Sequence, residues 1–230
     1  MKLEICANSY QSAINAQEVG AHRIELCQEL SVGGITPSYG LLKQVLEHLK
    51  IQVFVLIRPR SGDFVYSDEE FEIMKTDIEI CKTLGCSGIV SGVLHSDKTI
   101  DIKRTKELVE LSKPLPFTFH RAFDEVINPK EALQQLINLG VERVLTSGQQ
   151  PSALEGLDLL KELNELSQGR ITILSGGGIS AKNGLKFKEV GFQEIHASAS
   201  SVIQNGDSLF SRPQTVSDLK KIKALLDAIS

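Results

Sequence analysis

The 230-residue sequence lacks the features that mark several common protein classes. It has no run of Lys and Arg and carries a net charge of −4, so a nucleic acid is not expected as a partner. No apolar run approaches the length that crosses a bilayer, and no membrane partner is expected. Residues 1–4 enter a strand-like pattern directly, without the apolar core of a signal peptide. We therefore expect a cytoplasmic protein.

Cysteine is also scarce. The four cysteines, Cys6, Cys27, Cys81 and Cys86, do not make a disulfide framework for a chain of this length, which indicates a reducing compartment. Hydrophobic residues make up 41% and charged residues 23%, as in soluble globular proteins that bury a core. We expect a single domain over residues 1–230.

What the chain does contain is a regular alternation of strand-like and helix-like segments. Strands are predicted to start near residues 2, 22, 52, 88, 116, 143, 171 and 194, each followed by a helix. This α/β pattern favours a (β/α)8 TIM barrel. A doubly wound open sheet is the rival fold, but it would often carry a Gly-rich turn where this chain has Ala7-Asn8-Ser9.

Capping residues predict where several helices begin. The expected starts include Thr36-Pro37, Ser67 before three acids, Asn128-Pro129, Ser152 with Glu155, Ser180 and Thr215. Residues 202–214 are expected to form a polar loop, to which the sequence assigns no role.

The most informative stretch is FTFHRAFD, residues 117–124. Side chains alternate faces along a strand, so His120 shares a face with Thr118, opposite Phe117 and Phe119. By itself the stretch fits an edge strand that runs into a polar loop. Other predicted strands also end in polar residues, however, and the mouth of a barrel is where such ends meet.

Glu4 and Glu25 lie one alternation before Cys6 and Cys27 on the first two strands. Two buried carboxylates need partners, and Arg58 and Arg121 are the expected ones. A cluster of Glu, Arg and His at one barrel mouth is better explained by a ligand than by packing.

A Gly-rich turn, Gly176-Gly177-Gly178, follows the seventh strand, and Ser198 follows the eighth. Backbone N–H groups at such a turn can hold a phosphate at the start of a helix. Gly-rich turns can also serve geometry alone, and the sequence leaves both interpretations open.

Cys6 and Cys27 end adjacent strands, where their sulfurs can approach each other. Two thiolates in a reducing compartment suit a soft ion such as Cu(I). Spacing alone favours the other interpretation, that both are small buried hydrophobic residues.

Several motifs together resemble those of the CutC family of copper homeostasis proteins. They are RIELC at 23–27, GGITPS at 33–38, IRPRSGDFVYS at 57–67, TFHRAFD at 118–124, RVLTSG at 143–148 and SGGGI at 175–179. The resemblance extends to about residue 200. It implies a TIM barrel, a cytoplasmic location and a role in copper tolerance or trafficking, with Cys6 and Cys27 at the positions proposed to bind Cu(I). Some relatives carry a third Cys after the eighth-strand His, whereas here His196 is followed by Ala197.

Two functional hypotheses follow. The first is a Cu(I)-binding homeostasis protein, with Cys6 and Cys27 as ligands and His120 or His196 as a third. The second is an enzyme acting on a small anionic or phosphorylated metabolite. In that enzyme Arg58, Arg60, Arg121, the Gly turn and Ser198 would hold the anion, while His120, Glu25 and Asp124 would supply acid–base chemistry.

Neither hypothesis implies an organic cofactor. The predicted strand ends carry no Lys, which argues against a Schiff-base aldolase. Apolar helix faces on the barrel exterior would be compatible with a homo-oligomer.

Overall fold

The computed structural model describes residues 1–204 and 213–230, and its main feature is a closed barrel of eight parallel strands. The strands pair in chain order, and the eighth pairs with the first. They are β1 (Lys2–Ala7), β2 (Arg23–Leu26), β3 (Gln52–Leu56), β4 (Gly88–Ser91), β5 (Phe117–Phe119), β6 (Arg143–Thr146), β7 (Thr172–Gly176) and β8 (Glu194–Ala197). The predicted (β/α)8 TIM barrel is confirmed.

Helices surround the barrel. They are α1 (Tyr10–Glu18), α2 (Tyr39–His48), α3 (Asp68–Thr83), α4 (Ile102–Ser112), α5 (Pro129–Asn138), α6 (Leu157–Ser167), α7 (Gly184–Glu189) and α8 (Leu219–Ile229). Short 3-10 helices occupy Leu30–Val32 and Arg121–Glu125. In the part of the chain that is described, no helix is both long and apolar enough to cross a membrane.

Two cores follow from the alternation of side chains along the strands. Outward-facing residues such as Ile5, Phe117 and Phe119 pack against the helices in a large apolar layer. Inside the barrel a small apolar cluster contains Cys6, Cys27, Phe54, Leu56 and Val90. The Phe54 ring fills the interior opposite Gly88, where an added Cβ would come within 2.2 Å of that ring. The remaining interior positions are largely polar.

Ser67 and Asn128-Pro129 mark helix starts as predicted, with Ser67 and Glu70 forming a capping box at α3. The other four predicted starts, at Thr36-Pro37, Ser152, Ser180 and Thr215, are wrong. Helix α2 is capped by Ser38, because the Thr36 hydroxyl accepts a hydrogen bond from the Arg58 N–H instead.

Helix α6 begins at Leu157, because Ser152 and Glu155 close a separate turn before it. Helix α7 begins at Gly184, because Ser180 lies in a separate turn before it. In that turn the Ser180 N–H donates to the Asn183 side chain.

The C-terminal part differs most from expectation. Residues predicted as a polar loop and a helix start instead form an antiparallel pair, β9 (Ser200–Gln204) and β10 (Gln214–Ser217). Thr215 therefore pairs with Val202 rather than opening α8. The Asn15 side chain donates to the Ser217 carbonyl at 2.8 Å, which fixes β10 against α1. Asn205, Gly206 and Asp207, part of the predicted loop, lie outside the described residues.

Candidate functional site

A cavity of about 520 Å³ opens at the carboxyl ends of the barrel strands. Its wall is formed by residues from the ends of β1, β2, β3, β5, β7 and β8 and from the loops that follow these strands. They include Cys6, Glu25, Cys27, Arg58, Phe64, His120, Arg121, Asp124, Gly177, Gly178, His196 and Ser198. Most of the residues singled out in the sequence therefore meet in one place.

Cys6 and Cys27 lie side by side in this cavity. The Sγ–Sγ distance is 3.6 Å, and the two side chains come from neighbouring parallel strands whose register pairs Cys6 with Glu25. The contact with Cys27 and then burial raise the pKa of the Cys6 thiol well above its ordinary value. In the free protein Cys6 is therefore a neutral thiol.

His196 lies between two carboxylates next to these sulfurs. Its Nδ1 is 2.8 Å from Glu4 Oε1 and 3.5 Å from Glu25 Oε2. Ligand atoms of Cys6, Glu25 and His196 all lie within 4.8 Å of one another. A ring nitrogen bound to a carboxylate fixes the imidazole and leaves the other nitrogen for a ligand, an arrangement common around metal-binding histidines.

The charges of this group are strongly coupled. Burial alone would lower the pKa of His196, but hydrogen bonds with Cys6 and Glu4 and the charge of Glu25 raise it above its ordinary value. Burial also opposes ionisation of Glu4, yet the hydrogen bond to His196 and the charges of Arg143 and Arg23 hold its pKa well below the usual range. Burial raises the pKa of Glu25 to about 7.

An ion cluster lies below the cavity, inside the barrel. Arg23 pairs with Glu4 and Glu194, and Arg143 Nη1 lies 3.2 Å from Glu4 Oε2. Both guanidinium groups lie over the Phe54 ring, at 4.8 and 3.9 Å from its centroid. The prediction that Arg58 and Arg121 are the partners of Glu4 and Glu25 is therefore wrong.

Sequence reasoning missed Arg23, Arg143 and Glu194. A usable signal existed, because Arg23 lies two residues before Glu25 and so projects from the same face of β2. A charged first residue also opens β6 and β8, in the same barrel layer.

Asp124 binds the protein itself. Its Oδ1 accepts from the Thr146 hydroxyl at 2.5 Å and from the N–H groups of Ser147 and Gln149 at 3.0 and 3.1 Å. Its Oδ2 accepts from Arg121 Nε at 2.7 Å. Asp124 thus anchors the loop after β6, and Arg121 is held over that loop by a second bond to Ser147.

Of the remaining predicted residues, some line the cavity and others do not. Arg60 is not part of the cavity wall, because it pairs with Glu70 and Asp63. Gly176 ends β7, where an added Cβ would come within 2.6 Å of Leu145. Gly177 and Gly178 have φ values of +107° and +72° and line the cavity. No helix starts directly after this turn, since α7 begins only at Gly184. Ser198 lines the rim.

Comparison with known proteins gives a consistent result. A family model described as the CutC family matches residues 1–201. The chain is 51% identical over 205 residues to the copper homeostasis protein cutC homolog of Homo sapiens, covering 89% of this chain and 75% of that protein. It is 50% identical over 202 residues to a CutC family protein of Photorhabdus laumondii, covering 88% and 81%.

Solved structures show the same similarity. A crystal structure of CutC from Streptococcus agalactiae matches with a TM-score of 0.81 at 36% identity, over 86% of this chain and 98% of that one. A solved aldolase matches with a TM-score of 0.62 at 14% identity, which shows the barrel fold alone.

Proposed function

The chain belongs to the CutC family of copper homeostasis proteins, and from this premise we propose that it binds Cu(I) in the cytoplasm through Cys6 and Cys27. The single observation that carries the proposal is the 3.6 Å separation of the two sulfurs. With metal–sulfur bonds of about 2.3 Å, two sulfurs on one tetrahedral ion lie roughly 3.8 Å apart. The pair needs almost no rearrangement to share an ion.

The softness of the donors supports copper over harder ions. Thiolates select Cu(I), whereas a site of carboxylates and carbonyls would suit Mg²⁺ or Ca²⁺. A cytoplasmic location would keep both sulfurs reduced. The copper ion is the cargo of such a protein rather than a resident cofactor.

His196 is the proposed third ligand. Its Nδ1 contact with Glu4 leaves Nε2 available, and a ring nitrogen lies within 4.8 Å of the Cys6 sulfur. No third thiolate is available from β8, since Ala197 follows His196 and its side chain lies in the outer apolar layer. Ligands must lose protons to bind, so copper uptake releases protons from this group.

The test is a Cu(I) titration against a competing chelator under reductant. We expect the variant C6A/C27A to bind Cu(I) more than about a hundredfold more weakly than the wild type, because no soft ligand remains. The matched control is C81A/C86A, which removes the other two buried cysteines and leaves the cavity intact. Wild-type affinity in C6A/C27A, or an equal loss in C81A/C86A, would contradict the proposal.

A further inference from the structure

The cavity holds a buried positive charge that no carboxylate of the described residues neutralises. Arg58 is only 5% exposed. Its Nη1 donates to the carbonyls of Val32 and Gly34, both at 2.8 Å, and its Nη2 donates to the Gly62 carbonyl at 2.7 Å. Within residues 1–204 and 213–230, no acidic side chain forms an ion pair with Arg58, unlike Arg23 and Arg143. A buried charge without a counterion is costly, and here only backbone carbonyls stabilise it.

Two of the five N–H donors of the Arg58 guanidinium have no partner among the described residues, one on Nε and one on Nη2. Its Nε is buried and has no hydrogen-bond partner among the described residues. The three backbone carbonyls hold the group rigidly, so Nε is the one guanidinium nitrogen that makes no hydrogen bond to the described residues.

His120 presents a second unused donor in the same wall. The imidazole is 4% exposed, and its Nδ1 accepts from the Ala122 N–H at 3.2 Å. The ring proton therefore resides on Nε2, which is buried without a partner among the described residues. Burial and the charge of Arg58 lower the pKa of His120 to about 3, so the ring is neutral and donates from Nε2 only.

Phe64 joins the two residues into one surface. Its ring centroid lies 4.8 Å from that of His120 and 5.0 Å from Arg58 Cζ. Arg58, Phe64 and His120 thus form one side of the cavity, which we call the donor wall.

The volume of the cavity exceeds what a metal ion needs. About 520 Å³ lies within the range of small-molecule sites, roughly 300–1,000 Å³. The cavity also contains Asp124 and Glu125, but Asp124 is neutralised by Arg121, and Glu125 lies 4.0 Å from Lys98. Glu25, the third acid of the wall, lies 3.5 Å from His196 Nδ1, so Arg58 is the charged group of the wall that has no oppositely charged partner among the described residues.

We propose that this cavity binds a small organic anion, whose carboxylate or phosphate oxygens accept hydrogen bonds from Arg58 Nε and His120 Nε2. The rest of the molecule occupies the remaining volume of the cavity. This site does not depend on copper binding, and it assigns the anion to the donor wall rather than to the turn after β7.

The probes are malonate and inorganic phosphate, titrated separately into metal-free wild-type protein by calorimetry at constant ionic strength made up with chloride. Malonate and phosphate distinguish a carboxylate ligand from a phosphorylated one. We expect saturable binding of at least one of them.

The key variant is H120N. The amide oxygen of the introduced asparagine falls near the position of the imidazole Nδ1 and can still accept from the Ala122 N–H, while the Nε2 donor is lost. We expect affinity for the bound anion to fall about tenfold in H120N and further in R58Q, as for lost hydrogen bonds to a charged group. The control is R60Q, which removes a neighbouring arginine that is not part of the cavity wall. It should bind as the wild type does.

Circular dichroism shows whether each variant is folded, and if R58Q is not, H120N alone decides. The proposal is overturned if folded wild-type protein binds neither anion saturably. It is also overturned if H120N binds as tightly as wild type, or if R60Q loses as much affinity as H120N. A loss of copper binding in C6A/C27A leaves these outcomes unaffected, because the anion titration uses metal-free wild-type protein.

Discussion

At the scale of single residues, two histidines in one cavity have opposite acid–base behaviour. Burial acts on both and disfavours the charged ring. His196 has Glu4 and Glu25 beside it, and their hydrogen bond and charges raise its pKa despite burial. His120 has Arg58 nearby, whose positive charge adds to burial and lowers its pKa to about 3. The two side chains are of the same type and are similarly buried, so the neighbouring charges decide the direction in which each pKa shifts.

The neutral His120 has a consequence for stability against acid. Its pKa in the folded protein is about 3, below its ordinary value of 6.5. Between these two pH values the imidazole is therefore protonated in the unfolded chain and neutral in the folded protein. Its contribution to stability is full above pH 6.5 and is lost as the pH falls toward 3. By pH 4.5 the loss is about 2–3 kcal/mol.

Urea unfolding at pH 7 and pH 4.5 measures this loss. The variant H120N removes the titrating group, and the difference in unfolding free energy between the two pH values should shrink by about that amount. H48N, a change of the same kind at an exposed position on α2, should retain the wild-type difference. An identical pH dependence in H120N and wild type would show that His120 does not titrate in this way.

At the scale of elements, the start of α3 is the best-defined cap in the chain. The Ser67 hydroxyl accepts from the Glu70 N–H at 3.2 Å, and the Glu70 carboxylate accepts from the Ser67 N–H at 2.9 Å. Three acids in the first turn also favour this end of the helix electrostatically.

Replacing the capping residue Ser67 should lower stability more than replacing a serine that caps no helix. We expect S67A to lower the free energy of unfolding by about 1 kcal/mol, because the first turn loses its capping acceptor. S180A, at a serine that precedes α7 without capping it, should change stability by less than about 0.5 kcal/mol. Thermal and urea unfolding measure both, and equal effects would contradict a specific capping role for Ser67.

The same contrast explains what the sequence could predict at this scale. Strand alternation is local, so all eight barrel strands and their inward-facing Cys and Glu positions could be inferred. Capping depends on what a side chain meets in three dimensions. Thr36 is a good capping residue by type, yet its hydroxyl is bound to Arg58 from a segment 22 residues away. The pairing of β9 with β10 was hidden for a similar reason, since Thr215 pairs with Val202, which lies well before it in the sequence.

At the site, residue types in the cavity wall could be predicted, but their partners could not. Cys6 and Cys27 come from strands that pair directly, so their contact follows from the topology. Arg58 is bound by three carbonyls of loops whose course no periodicity reveals. The role of Asp124 depends on the loop after β6, which the sequence does not place.

At the scale of the whole molecule, the ion cluster ties distant parts of the barrel together. Glu4 on β1 contacts Arg23 on β2, Arg143 on β6 and His196 on β8. All of these groups are buried, so each relies on the others for its charge to be compensated.

Removing one charge from this cluster should destabilise the entire barrel. We expect E4Q to lower the free energy of unfolding by about 3–5 kcal/mol, because two buried guanidinium groups lose a shared carboxylate. The control D227N breaks an exposed pair with Lys223 on α8 and should cost less than about 1 kcal/mol. Urea unfolding of metal-free protein measures both, and an E4Q protein as stable as D227N would contradict the cluster's role.

Barrel closure also sets the order in which the protein can be completed during synthesis. Glu4 is synthesised well before its partner His196, which follows 192 positions later. At elongation rates of roughly 5–20 residues per second, that interval is about 10–40 s. Throughout it, β1 has one free edge, and its carboxylate remains hydrated beside strands that are not yet a barrel. β8, the last of the barrel strands to be synthesised, is thus the strand that removes the Glu4 carboxylate of β1 from water.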